Sequence, residues 1–160
     1  MKRIGNQKEK LDVLLLLLVL GIYFGAICLI NLCGRPSFYN TDMYTDICFG
    51  VEAWKHKSLF PEGWLFGNQL YIVATPALAS LFMVVTDNPV LAMSLASMTM
   101  SILVVISFLW MLKPVLPDFR DRLLGLVFFM TLGLYYGDSV GTENGWQLLF
   151  TMCSYYACYA

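Results

Sequence analysis

Charge is what this sequence has least of. Asp, Glu, Lys and Arg make up 13% of its 160 residues, against 59% apolar residues, and the formal net charge is -1. A soluble domain carries roughly a quarter charged residues, so an ordinary water-solvated surface is excluded. The lack of a basic surplus excludes a nucleic-acid footprint, because the 10 Lys and Arg residues lie at the N-terminus and in loops and form no single face. Histidine is nearly absent: His56 stands alone between Lys55 and Lys57 and reads as a solvated surface group, with nothing around it to build a nucleophile triad. Cys28, Cys33, Cys48, Cys153 and Cys158 lack zinc-ligand spacing. Cys33 and Cys48 read as apolar packing residues, with an extracytoplasmic disulfide as the alternative. There is no phosphate-binding glycine loop, internal repeat or low-complexity tract.

What is present is hydrophobic length, at a mean hydropathy of +0.68. Residues 11–32, with Leu14 to Leu18 at their heart, match the ~20 residues that cross ~30 Å of hydrocarbon. A cleaved signal peptide is the rival reading, but the run exceeds a ~7–15-residue signal core. Lys2, Arg3, Lys8 and Lys10 precede it, so the positive-inside bias keeps the N-terminus cytoplasmic and sends residues 33–69 outside. Further apolar segments are expected at 70–85, 90–112 and 123–136, and another begins at 146–160. The sequence therefore predicts an all-α integral membrane protein, a single membrane domain over 1–160 in a multi-pass plasma-membrane chain, and the N-terminal part of something larger. If every segment crosses, the basic loop Lys113–Arg122 falls outside, against the same bias. Segment 70–85, short and carrying Pro76, is accordingly expected to be tilted or re-entrant.

The first polar loop carries the chemistry. Asp42 and Asp46 are four apart and share a face of an expected helix over Met43–His56. Asn40, Thr41 or Asp42 caps that helix in the plainer reading. Tyr44, Ile47, Cys48, Val51 and Trp54 form its apolar stripe, with Asp46, Glu52 and Lys55 off it, so it is expected to lie on the membrane surface. Trp54, Trp64 and Phe66 suit an aromatic belt at headgroup level, and Trp64 alternatively suits stacking on a sugar. A second polar loop, residues 137–145, adds Asp138 and Glu143, hard-oxygen donors of the kind Mg²⁺ or Mn²⁺ accepts, or loop carboxylates that simply meet water.

A first helix leading to an outside loop with Asp42, then a surface helix, Leu59-Phe60-Pro61 and a Pro76-containing segment, resembles the start of the GT-C superfamily of multi-spanning glycosyltransferases. The run from Asp42 to Pro76 is also similar to uncharacterised multi-spanning bacterial membrane proteins. The resemblance implies a GT-C-like helical bundle in a bacterial cell envelope. The implied reaction transfers a sugar from a polyprenyl-phosphate-type donor to an acceptor hydroxyl at the outer face, with membrane lipid and the lipid-linked sugar as partners. It places Asp42, with Asp46 as next choice, as catalytic carboxylate, and Asp138 or Glu143 at the second acidic position, where Mg or Mn would bind. Arg35, Trp64 and Asn68 are the substrate-binding candidates. A non-enzymatic membrane subunit, or a polysaccharide- or lipid-handling transporter component, is the alternative.

Overall fold

A computed structural model describes residues 2–34, 41–65 and 75–135, and these contain helices and turns without strands. In chain order they form α1 (Lys2–Leu29), a π turn (Ile30–Gly34), α2 (Thr41–His56), α3 (Thr75–Phe82), α4 (Pro89–Leu112) and α5 (Phe119–Tyr135). Gln7–Cys33 and Pro89–Leu112 are long and apolar enough to cross a membrane. Only 6% of the apolar window of the first is buried within the protein. Leu14, Leu18 and Ile22 stand about 60% exposed, a surface that water penalises at about 25 cal/mol per Å² and lipid does not. Membrane association follows from that balance.

Local chemistry sets where the helices begin and end. α1 starts at Lys2, nine residues before the expected span, because Gln7-Lys8-Glu9-Lys10 are good helix formers and nothing breaks the helix where charge gives way to leucine. α4 matches its expected range: the Asn88 side chain accepts from the N–H groups of Val90 and Leu91 at 3.0 and 3.2 Å, and Pro89 fills the first position, where no N–H is needed. α5 starts at Phe119, four residues before the expected 123, where Pro117 ends the preceding turn and the Asp118 carbonyl accepts the first N–H, from Arg122, at 3.2 Å.

Of segment 70–85, residues 75–82 form α3 and 70–74 lie outside the described residues. Eight helical residues span about 12 Å, short of a ~30 Å core. Pro76 is the second residue of α3 as described. Expected segment 146–160 also lies outside the described residues.

The chain divides into two compact units. One joins α1 through Ile27 with Ile102 onward; Leu123, Leu126 and Met130 of α5 and Val104 of α4 are buried in it. Phe108 and Phe129 stack at 4.3 Å. The Thr131 hydroxyl donates to the Val127 carbonyl at 2.8 Å, so Tyr23 donates the 2.7 Å bond between Tyr23 and Thr131. The other unit, Cys28–Ser101, holds the π turn, α2, α3 and α4 through Ser101.

Candidate functional site

In the second unit α2 packs along α3. The packed face of α2 is Asp46, Phe49, Gly50 and Ala53, all buried and spaced i, i+3, i+4, i+7. At its middle, a Cβ on Gly50 would lie 3.3 Å from the Pro76 carbonyl oxygen and 3.5 Å from Ala79 Cβ, so the glycine lets the two backbones approach. The expected stripe is a different face. Tyr44, Cys48 and Trp54 are exposed, and only Ile47 from that stripe packs on the core of Ala79, Met93 and Ala96. α2 therefore has two apolar faces, and the seam was chosen by small residues that permit close approach rather than by the bulkier stripe.

Asp46 heads that seam at 4% exposure. It lies off the expected stripe and on the buried face of small residues. Carboxylates are among the residues least often fully buried, because removing the charge from water costs several kcal/mol unless it is compensated. Asp42 is the second residue of α2, which begins at Thr41, two residues before the expected start; its side chain lies outside the described residues, as do Arg35, Asn68, Asp138 and Glu143. Among the described residues no three His, Cys, Asp or Glu side chains gather to hold a metal ion.

α2 closes with two reverse bonds, Lys57 N–H to the Trp54 carbonyl at 3.2 Å and Ser58 N–H to the Ala53 carbonyl at 3.1 Å, with Lys57 at φ 51°. This is the left-handed helix stop that glycine usually fills. Beyond it, the Trp64 N–H donates to the Pro61 carbonyl at 3.2 Å across a turn whose third residue, Gly63, has φ 81°. The turn folds Trp64 back onto Phe49, edge to face at 5.4 Å and 64°. Trp64 thus packs against the buried face of α2 beside Ala53.

On the polar side of α2, Glu52 bonds Lys55 Nζ at 2.7 Å and lies 3.6 Å from His56 Nε2. The Lys55 bond is the main cause that holds the Glu52 carboxyl below its ordinary range, against a smaller opposing pull from desolvation.

The same unit buries polar groups that the sequence reading passed over. Ser94 donates to the Asn31 carbonyl in the π turn at 2.8 Å, Ser101 to the Ser97 carbonyl at 2.8 Å and Ser80 to the Ala77 carbonyl at 2.7 Å. Thr75 differs: it is 1% exposed and its hydroxyl has no hydrogen-bond partner among the described residues. An orphaned buried hydroxyl costs about 1–3 kcal/mol. One sequence signal was available, the i, i+3, i+4, i+7 series from Asp46. Comparison with protein-family models, with known proteins and with solved structures finds no match for this chain.

Proposed function

We propose that this chain is a multi-pass plasma-membrane glycosyltransferase, N-terminus cytoplasmic, that moves a sugar from a polyprenyl-phosphate-type donor to an acceptor hydroxyl at the outer face. The observation that carries the reading is Asp46, a carboxylate kept at 4% exposure in a close helix seam just after the first apolar helix. A seam built for close packing would be at least as stable with an apolar residue there, so its retention points to chemistry. The proposed role is general base: one Asp46 oxygen takes the acceptor's proton as the hydroxyl oxygen attacks the anomeric carbon and the lipid phosphate leaves with the bonding electrons. The leaving group is already anionic, so alignment and proton removal carry the burden. Asp42, one turn earlier on α2, is the alternative base. Asp138 and Glu143 remain the proposed donors for Mg or Mn, and Arg35 and Asn68 proposed substrate contacts.

The test is turnover of a lipid-linked sugar by purified protein carrying Asp46→Asn or Asp42→Asn. Loss of transfer by roughly 10²–10⁴-fold in one of them identifies the base; undiminished transfer in both ends the assignment. The second reading, a transporter component, draws on the buried Ser94, Ser97 and Ser101 along α4, since substrate paths carry polar groups within spans. It predicts substrate movement across vesicles without any change in glycosidic bonds.

A further inference from the structure

We propose that the cleft between residues 9–13 of α1 and residues 118–120 at the start of α5 binds the headgroup of a phosphatidylethanolamine-type lipid, with phosphate on Lys10 and Arg120 and ammonium on Glu9 and Asp118. The site needs α1 to cross a membrane and is independent of the transferase reading. The cleft has a volume of about 340 Å³ and is lined by Glu9, Lys10, Val13, Asp118, Phe119 and Arg120. All six belong to one compact unit. The volume falls within the ~300–1,000 Å³ usual for small-molecule sites.

The cleft sits where the apolar run begins. Its α1 wall follows Gln7-Lys8-Glu9-Lys10 into the leucines, and Leu14 and Leu18 beyond it are exposed. Acyl chains therefore find an apolar surface directly beside the polar one. Val13 and Phe119 carry that surface into the lining. The ion pair of Arg120 with Asp12 at 3.2 Å ties the first turn of α5 to α1 and fixes the other wall. A ligand with its polar end in such a cleft and its apolar end against leucine is a membrane lipid.

Charge then selects the headgroup. Glu9, Lys10 and Asp118 form no ion pair among the described residues, and the Arg120 guanidinium has several N–H donors, so its contact with Asp12 leaves others for a phosphate oxygen. An anionic headgroup would set its phosphate against two carboxylates with nothing to offset them. A zwitterion pairs with both signs. Between zwitterions, carboxylates favour ethanolamine, whose ammonium donates hydrogen bonds, over choline, which has no N–H. Choline is held instead by open aromatic faces. Phe119, the one aromatic residue of the lining, already has the Arg122 guanidinium 5.6 Å over its ring.

The experiment is native mass spectrometry of the purified, intact protein in detergent, incubated with equal concentrations of dioleoyl phosphatidylethanolamine, phosphatidylcholine and phosphatidylglycerol. Wild type is expected to retain the ethanolamine lipid about tenfold more than either of the others. Glu9→Gln combined with Asp118→Asn should bring the ethanolamine and choline lipids within about twofold of each other and raise retention of the glycerol lipid. Lys10→Gln should lower the ethanolamine and glycerol lipids alike, by about threefold or more. These side chains are exposed, and Asn caps a helix as Asp does, so the variants keep the fold. As a second readout, the ethanolamine lipid should raise the melting temperature of wild type more than that of the double variant. Equal retention of the three lipids by wild type, preference for the glycerol lipid, or an ethanolamine preference that survives in the double variant overturns the proposal. Displacement of the lipid by free phosphoethanolamine at similar concentration overturns the lipid assignment and makes a soluble zwitterion the ligand.

Discussion

The two units bury different chemistry. Among the described residues, every buried polar side chain lies in Cys28–Ser101: Asn31, Asp46, Thr75 and four serines. The interior of the other unit is Ile27, Val104, Leu123, Leu126 and Met130. Its polar contacts include the Tyr23–Thr131 bond and the Asp12–Arg120 ion pair at 3.2 Å, both at exposed positions, and Arg122 Nε is a single buried atom there with no partner among the described residues. Lipid tails are as apolar as leucine, so an apolar interior in a membrane is held by van der Waals fit, and a buried polar group has to be held by hydrogen bonds. A unit with that second burden is the more expensive one to build. Its serines meet the burden with local carbonyl bonds. No such local carbonyl bond accounts for Asp46 or, among the described residues, for Thr75.

The sharpest way to break this contrast is at Asp46. Asp46→Leu should abolish sugar transfer, by about 10²–10⁴-fold if the carboxylate is the base, while leaving thermal stability equal or higher, since well-packed apolar replacements of buried ions are often neutral or stabilising. A variant that unfolds, with activity falling only in proportion to the folded fraction, would make Asp46 a structural residue and erase the contrast. The matching change in the apolar unit is Leu126→Ala. It should cost about 2 kcal/mol, the low end of the range for buried leucines in water, because the unfolded reference in lipid loses packing rather than gaining water contact. Transfer per folded molecule should stay unchanged, as read from activity normalised to a thermal melt.

A smaller effect sharpens the geometry of the seam. Gly50→Val pushes a branched side chain against the Pro76 carbonyl, which is backbone and yields little. Overpacking of this kind costs about 1–3 kcal/mol. It should also lower transfer, because α2 must draw away from α3 and take Asp46 with it. A melting temperature within one degree of wild type would mean that the close approach is not a constraint.

α1 and α4 were legible because they announce themselves by length and apolar content, whereas the starts of α4 after Asn88 and of α5 after Pro117-Asp118 are set by cap chemistry that the apolar runs do not show. The packed face of α2 was not legible. Side-chain bulk singles out Tyr44, Val51 and Trp54 over Gly50 and Ala53, whereas between helices in lipid the bulky apolar residues are free to face outward while small ones take the interface. That inversion hid the burial of Asp46, which lies on the small-residue face. Thr75 was hidden for another reason: its signal is a hydrogen bond unmet among the described residues, which exists only once the neighbours are in place.

The smallest effect concerns surface charge, where the two units look alike but differ in reach. Asp12–Arg120 joins residues far apart in sequence at 3.2 Å, whereas Glu52–Lys55 at 2.7 Å is local to one helix turn. The folded-state carboxyl of Glu52 titrates below its ordinary value of 4.5, chiefly through Lys55. Its contribution is therefore present above the unfolded-state value and is lost as the pH falls through the folded-state value. Glu52→Gln should accordingly weaken the last turn of α2 at pH 6 and match wild type in strong acid, read by amide exchange of Ala53 to His56. Exposure of both partners keeps the effect slight. Exchange that differs between the two proteins equally at both pH values would show that the glutamate acts by packing and not by charge. In either case the backbone bonds at Lys57 and Ser58 keep the C-terminal stop of α2, from which the turn at Gly63 returns Trp64 to Phe49.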